Sequence, residues 1–353
     1  MSFRWAIAGT GEIARGFAVA LNRLPDAELV AVGSHDPAAA EDFGEWCGVP
    51  RGRRHGSYGE LAADDGVDIV YVATPSSHHH RHTSMFLRAG RGVLCEKPFG
   101  LDAAQASEMV AAARAQGRFL MEAMSSRFLP TYVHLRELVA AGSIGTVLGV
   151  DGELGLRFPS LVGHRLFDHA QGDGALLDLG VYPVSLASML LGEPDRVSAL
   201  GQQGPTGADE HVAVLMNYRH GAMALTRASL RVSLGCIARI FGTDGSIELP
   251  AFMHCPDELL LRGRPGTQRL HLPAASDNAH RGHLGSSGPG GGLHHQIRHV
   301  HERLRAGQLD SDVMPLAESV SVMRTLDVAR AHIALRYLDA DLRPPHTGAA
   351  AGM

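Results

Sequence analysis

The sequence predicts an α/β chain in two parts: a parallel, doubly wound sheet, then an α+β domain built on a large, mostly antiparallel open sheet. Two observations predict this. Up to about residue 125, short apolar runs alternate with longer helical patterns, and the runs are apolar on both faces, as strands between two helix layers must be. From residue 126 the rhythm changes, and strand-like runs follow one another with only turn signals between them. The length of 353 residues also exceeds one typical domain. The expected units are residues 1–125, residues 126–342, and a frayed Pro/Gly/Ala-rich tail over 343–353.

Trp5-Ala6-Ile7-Ala8 reads as a buried strand and Ile13 to Leu24 as the helix after it. Glu28 to Gly33 is a second strand, and Asp36-Pro37 reads as the cap and first residue of a helix reaching Trp46. The β-branched run from Val67 to Thr74 is a third strand. A helix over 78–89, a strand over 92–95, a helix after Asp102 as N-cap to Gln116 and a strand over 119–124 complete the first unit. In the second, helices are expected over 130–141 and 175–191, and strands over 196–200, 211–218, 222–230, 235–241 and 246–249. Asn217 to Gly221 and Gly242 to Gly245 read as hairpin turns. Residues 274–292 form a polar, Gly-rich loop, and helices over 293–306 and 315–338 close the chain.

Composition narrows the partners. A net charge of −5 argues against nucleic acid or an acidic membrane surface. No stretch approaches 18 consecutive apolar residues, and Met-Ser-Phe-Arg-Trp runs into a strand without a signal-peptide pattern, so no membrane partner is expected. Cys47, Cys95, Cys236 and Cys255 lack C-x-x-C spacing, which suits reduced thiols and a cytoplasmic location.

Chemistry concentrates in few places. Gly9-Thr10-Gly11-Glu12-Ile13-Ala14 matches G-x-G-x-x-G/A between a strand and a helix, the context in which that pattern cradles a dinucleotide pyrophosphate. Gly9 permits the turn, Gly11 lets the phosphates approach, and the helix start offers free N–H groups. The second strand ends Val32-Gly33-Ser34-His35-Asp36. Ser34 stands where an NAD site has its ribose-binding acid, and Ser34 with His35 tolerates a 2′-phosphate, so NADP is expected, with NAD as the alternative. Thr74-Pro75-Ser76 ends the third strand at the ligand-binding edge of such a sheet. Lysine occurs once, at Lys97, among 32 basic Lys and Arg residues. An ammonium titrates and a guanidinium does not, so a single retained lysine points to chemistry; a composition that drains lysine everywhere would also leave one by chance.

These segments resemble the Gfo/Idh/MocA oxidoreductases over nearly the whole chain. The resemblance rests on the glycine pattern, Val72-Ala73-Thr74-Pro75-Ser76-Ser77-His78-His79, Glu96-Lys97-Pro98, Met121-Glu122-Ala123-Met124 with Arg127-Phe128, and Gly174-Ala175-Leu176-Leu177-Asp178-Leu179-Gly180-Val181-Tyr182-Pro183. Tyr182 four residues after Asp178 is most similar to the branch of dimeric dihydrodiol dehydrogenases, NADP-dependent D-xylose dehydrogenases and glucose–fructose oxidoreductase. The resemblance implies an N-terminal Rossmann domain and a C-terminal sheet that forms a homodimer or homotetramer. It implies hydride transfer between a nicotinamide and a secondary or anomeric hydroxyl of a sugar or cyclic trans-diol. Lys97, Asp178 and Tyr182 then surround the reacting carbon, and His79, Glu96, Lys97 and Arg127 join the cofactor's neighbours.

The residues agree with this. Asp178 and Tyr182 at helical i, i+4 spacing share a face. Tyr182 is expected as general acid/base, with Lys97 lowering its pKa and donating to the substrate hydroxyl, and Asp178 orienting them. The chain departs from the relatives at Ser76, where they usually carry Asn, and at Asp173, where they often carry Gly. His78, His79, His80 and His82, and His294, His295, His299 and His301, lack a metal-site pattern, so no metal is expected. Two rival readings are a nicotinamide-assisted glycoside cleavage on the same fold and a non-catalytic dinucleotide sensor.

Overall fold

The computed structural model describes residues 2–158, 165–168, 171–263, 266–272 and 292–334. The Gly-rich loop up to residue 291, the end of the last expected helix over 335–338 and the tail from residue 343 lie outside the described residues.

Six strands form the first sheet: β1 (Phe3–Ala8), β2 (Ala27–Gly33), β3 (Arg54–His55), β4 (Ile69–Val72), β5 (Gly92–Glu96) and β6 (Leu120–Ala123). Their order is β3-β2-β1-β4-β5-β6 and every pair is parallel. Helices α1 (Glu12–Leu21), α2 (Pro37–Trp46), α3 (Tyr58–Ala62), α4 (His79–Arg88) and α5 (Ala103–Gln116) make the crossovers. β1, β4 and β5 are buried almost throughout, because helices cover both faces. The strand order reverses between β1 and β4, which opens a crevice at their carboxyl ends. Asp36 caps α2 by accepting from Ala38 N at 2.9 Å, and Asp102 caps α5 through Gln105 N at 2.8 Å.

Two-residue β3 and five-residue α3 are too short to show a period in the sequence. They fasten the edge beside β2: Ser34 N donates to His55 O at 3.2 Å. Asp64 locks this edge, accepting from Arg53 Nε at 3.0 Å and Arg53 Nη2 at 2.5 Å, from Gly66 N at 3.0 Å, and facing His55 Nε2 at 3.0 Å.

The second sheet has eight strands: β7 (Val147–Gly155), β8 (Arg196–Gln203), β9 (Asp209–Asn217), β10 (Met223–Ser229), β11 (Ala238–Gly242), β12 (Gly245–Leu249), β13 (Glu258–Gly263) and β14 (Gly266–His271), in the order β14-β13-β12-β11-β7-β10-β9-β8. Only the β7–β10 pair is parallel. β7 is the central strand, yet its sequence, Val-Leu-Gly-Val-Asp-Gly-Glu-Leu-Gly, is broken by three glycines and reads as a loop. The structure supplies the reason at Gly152. A Cβ there would sit 2.7 Å from Pro183 Cβ, where helix α7 (Val181–Leu191) lies against the strand. β13 and β14 are likewise absent from the sequence expectation. Helices α6 (Pro130–Ala140), α8 (Leu293–Arg305) and α9 (Leu316–His332) complete the chain, with α9 packed on β8 and on α5. The opposite face of the sheet is open and carries Leu200, Leu215, Met223, Leu225 and Phe241 exposed. Among the described residues no helix is long and apolar enough to cross a membrane.

Burial opposes the charge on Asp64, but Arg53, His55 and Gly66 N outweigh it and lower its pKa to about 2. A depressed carboxylate stabilises the fold above the unfolded pKa, near 4, and loses that contribution as pH falls through about 2. Asp64→Asn is therefore expected to lower unfolding free energy by about 2 kcal/mol at pH 7, the difference from wild type shrinking below pH 4 and lost as pH falls through about 2, as measured by urea denaturation across that range.

Candidate active site

A cavity of about 530 Å³ opens at the carboxyl edge of the first sheet. One wall is the Gly9–Ile13 turn between β1 and α1. Gly9 has φ +109°, and a Cβ on it would lie 2.6 Å from Ala73 O, so the turn requires glycine. A Cβ on Gly11 would meet nothing within 4 Å: the space beside it is empty of protein. Gly11 is also the N-cap of α1 and brings no side-chain acceptor, so the first N–H groups of a ten-residue helix face outward uncapped. Open space beside a glycine and oriented N–H donors fit a dinucleotide pyrophosphate.

Ser34, His35 and Tyr58 border the cavity at the end of β2. Ser34 Oγ accepts from Asp36 N at 3.2 Å, and Asp36 turns away into its cap, so no carboxylate reaches the cavity from this strand. Thr74, Pro75 and Ser76 contribute from the end of β4. His79 lines the cavity, but its ring lies between two carbonyls, Thr74 O and Pro98 O, each at 2.8 Å. Burial pushes its pKa down to about 4, so the ring is neutral and donates to one of the two.

Lys97 leaves the end of β5 and donates through Nζ to Asp178 O at 2.9 Å and Asp178 Oδ1 at 3.0 Å. Burial alone would lower its pKa, but Asp178, Tyr182 and Glu96 outweigh that and hold it above the ordinary lysine range. Asp178, also buried, is held below the ordinary carboxylate range by Lys97 and Arg165. Glu96 accepts from the Tyr71 hydroxyl and, at 3.1 Å, from Lys97 N; burial raises its pKa.

Asp178 and Tyr182 belong to one continuous helical run, but its first turn, Ala175–Gly180, is a π-helix, not the α-helix expected. Asp209, at the start of β9, accepts from Leu176 N at 2.6 Å and so caps that turn. Gly174 precedes it with φ +151°, and a Cβ there would strike Asp209 Oδ1 at 2.1 Å. The wide turn brings the Asp178 carbonyl as well as its carboxylate to Lys97.

The relation of Lys97 to Tyr182 differs from the expectation. Lys97 Nζ lies over the Tyr182 ring, 5.0 Å from its centre, with its hydrogen bonds directed to Asp178. Burial pushes the Tyr182 pKa up to about 12, and the pull from Lys97 does not overcome it. The phenol is thus held protonated.

Arg127 is a second correction. Its guanidinium is buried away from the cavity, donating to Ser185 Oγ at 3.0 Å, Ser185 O at 2.7 Å, Glu318 Oε1 at 2.6 Å and Val313 O at 3.3 Å. It clamps α7 to α9 and does not line the cavity.

Arg165, His254, Phe158 and Leu129 were not read from the sequence, whereas Asp173 was noted there as a departure from the relatives. Arg165 Nη1 donates to Asp173 Oδ1 at 2.6 Å, and Nη2 lies 3.7 Å from Asp178 Oδ1. Burial pushes Asp173 up to about 7, with Arg165 pulling the other way. His254, in the crossing between β12 and β13, packs 5.4 Å from the Tyr182 ring and is pushed down to about 4 by burial. Its Nδ1 has no partner among the described residues, and Cys255 Sγ is 3.6 Å from its Nε2. Phe158 and Leu129 add an apolar wall. These residues carry no motif; single residues from separate loops meet only in the fold. Among the described residues no three His, Cys, Asp or Glu groups converge to hold a metal ion.

A Rossmann sheet with a phosphate-sized space at its first turn, facing a buried Lys–Asp pair and a phenol, defines a dinucleotide-dependent oxidoreductase. Comparison with known proteins gives the family. A family pattern described as an oxidoreductase family with an NAD-binding Rossmann fold matches residues 3–124, and a GFO/IDH/MocA C-terminal domain pattern matches residues 132–248. The chain belongs to the Gfo/Idh/MocA family of NAD(P)-dependent oxidoreductases. It is 36% identical to trans-1,2-dihydrobenzene-1,2-diol dehydrogenase of Macaca fascicularis and 35% identical to that of Homo sapiens, each match covering 96% of this chain and 98% of the relative. Similar solved structures include aldose-aldose oxidoreductase from Caulobacter crescentus (TM-score 0.82, 24% identity, covering 94% of this chain and 98% of that one). A 3-ketoreductase from Actinomadura kijaniata, solved with NADP, has a TM-score of 0.78 at 23% identity, covering 94% and 98%.

Arg127→Met is expected to destabilise the protein by on the order of 3 kcal/mol, because it leaves Glu318 without its buried partner, while cofactor Kd stays unchanged. Thermal melts with fluorescence titration of the cofactor check this; a tenfold weaker Kd would return Arg127 to the cofactor site.

Proposed function

We propose that this protein is an NADP-dependent dehydrogenase/reductase that interconverts a secondary hydroxyl and a ketone on a cyclic trans-diol or a sugar. The observation that carries it is the meeting of Lys97, Asp178 and Tyr182 in one cavity with the glycine turn. The bound nicotinamide would supply the hydride acceptor or donor, held by the Gly9–Ile13 turn, by Thr74, Pro75 and Ser76, and by Ser34 and His35 at the ribose end. Tyr182 passes the proton to or from the substrate oxygen. Lys97 donates to that oxygen and stabilises negative charge on it, and Asp178 holds Lys97 in place.

The proton affinity of Tyr182 shapes how rate follows pH. A phenol held at about 12 stays protonated near neutrality, so its acid form is abundant and its base form scarce. Carbonyl reduction therefore proceeds at neutral pH, whereas oxidation waits on the deprotonated form. NADP rests on the absence of a carboxylate at the end of β2 and on the hydroxyl and imidazole there. Small-molecule turnover in the cytoplasm suits four cysteines without a disulfide.

The test is absorbance at 340 nm with trans-cyclohexane-1,2-diol and a panel of pentoses and hexoses. Oxidation should rise about tenfold per pH unit through the alkaline range, and Tyr182→Phe should lower it roughly a thousandfold and flatten that rise. NADP should bind at least tenfold more tightly than NAD. Tight cofactor binding with no turnover of any substrate would leave a nucleotide-binding sensor instead.

The open sheet face supports a homodimer, since Leu215, Met223, Leu225 and Phe241 expose an apolar centre rimmed by Arg227, Glu153, Arg239 and Asp151. Leu225→Glu should shift the mass measured by light scattering from twice to once the 37.5 kDa chain mass; an unchanged mass removes this face as the interface.

A further inference from the structure

The catalytic reading uses Lys97, Asp178 and Tyr182. It leaves a second cation in the same cavity without a task. Arg165 lines the cavity, and its side chain keeps 48% of its exposure, whereas the side chain of its partner Asp173 is wholly buried. A buried carboxylate is costly unless paired, so placing one behind an arginine fixes the arginine's position. A guanidinium carries five N–H donors in a rigid fork. Among the described residues one of them is taken, by Asp173 at 2.6 Å. The approach of Nη2 to Asp178 at 3.7 Å is an ion pair too long for a hydrogen bond. The remaining donors have no acceptor among the described residues, and the side chain lines the cavity.

One atom relates this arginine to Lys97. Asp178 Oδ1 is the oxygen that Lys97 Nζ holds at 3.0 Å and that Arg165 Nη2 approaches at 3.7 Å. The two cations therefore share a single carboxylate oxygen. A substrate oxygen bonded to Lys97 brings the substituent on the next ring carbon towards the guanidinium. With Asp173 ionised, above about pH 7, the charges of Lys97, Arg165, Asp173 and Asp178 cancel in pairs, so the fork is then a hydrogen-bond donor to a neutral oxygen more than a trap for an anion.

We propose that Arg165, anchored by Asp173, binds the hydroxyl adjacent to the reacting carbon and so makes the site selective for vicinal diols over single alcohols. This rests on the oxidoreductase reading above and names what that site recognises.

The test compares trans-cyclohexane-1,2-diol with cyclohexanol, using the full chain and NADP. In wild type the diol is the better substrate. Arg165→Met should raise KM for the diol at least tenfold more than it raises KM for cyclohexanol, a difference that any shared fall in kcat from loosening Asp178 does not produce. The double variant Arg165→Met with Asp173→Asn removes the buried anchor's charge along with its partner, and should show the same loss of selectivity if the single variant folds poorly. Equal losses on both substrates, or a loss confined to kcat, overturn the proposal and make Arg165 a support for Asp178 alone. A wild-type protein that oxidises neither compound, at any alkaline pH, removes the catalytic reading itself, an outcome separate from any effect of the variants.

Discussion

One buried ammonium holds the two halves of this molecule in register. Lys97 follows a strand of the first sheet, and two of its three donors find the carbonyl and carboxylate of Asp178, which belongs to the second domain. A charge taken out of water must be met by opposite charge and by hydrogen bonds. That requirement fixes the π turn of residues 175–180 against the end of β5, and with it the reach of Tyr182 and Arg165. Asp173, Arg165, Asp178 and Lys97 then form a row of alternating charge in which each member is balanced by its neighbours.

The two walls of the cavity use different parts of the chain. The nucleotide wall is largely backbone: two glycines, the uncapped start of α1 and the ends of parallel strands. His79 is spent on carbonyls there and stiffens the wall. The substrate wall is made of side chains drawn from separate places, Arg165 from a short turn, Asp178 and Tyr182 from a helix, His254 and Cys255 from a strand crossing. Backbone suits a ligand part that does not vary, such as a pyrophosphate, and side chains suit one that distinguishes substrates.

The legibility of the sequence follows the same division. Strands β1, β2, β4, β5 and β6 were read because each is an apolar run, and the glycine turn because its spacing reports a backbone conformation. β7 was missed because glycines that admit α7 erase the strand pattern. Asp178 and Tyr182 were found through their resemblance to a family motif, with which their spacing in one helical run agrees; the π turn beneath Asp178 was not found, since nothing local marks it, and its cap, Asp209, arrives from β9. Arg127 sits in a familiar motif, yet its guanidinium serves the interior between α7 and α9.

The sequence by itself determined the order of most elements, the dinucleotide turn and the singular lysine, because each is a local pattern of polarity, spacing or composition; the aspartate and tyrosine were singled out through resemblance to a family motif. Only the tertiary structure decided which atoms meet. It aimed Lys97 at Asp178 with the Tyr182 ring beneath, held the phenol protonated, and brought Arg165 and His254 to the same cavity. The physical reason is that burial and electrostatic pairing depend on distances between residues far apart in the chain, which no local pattern records.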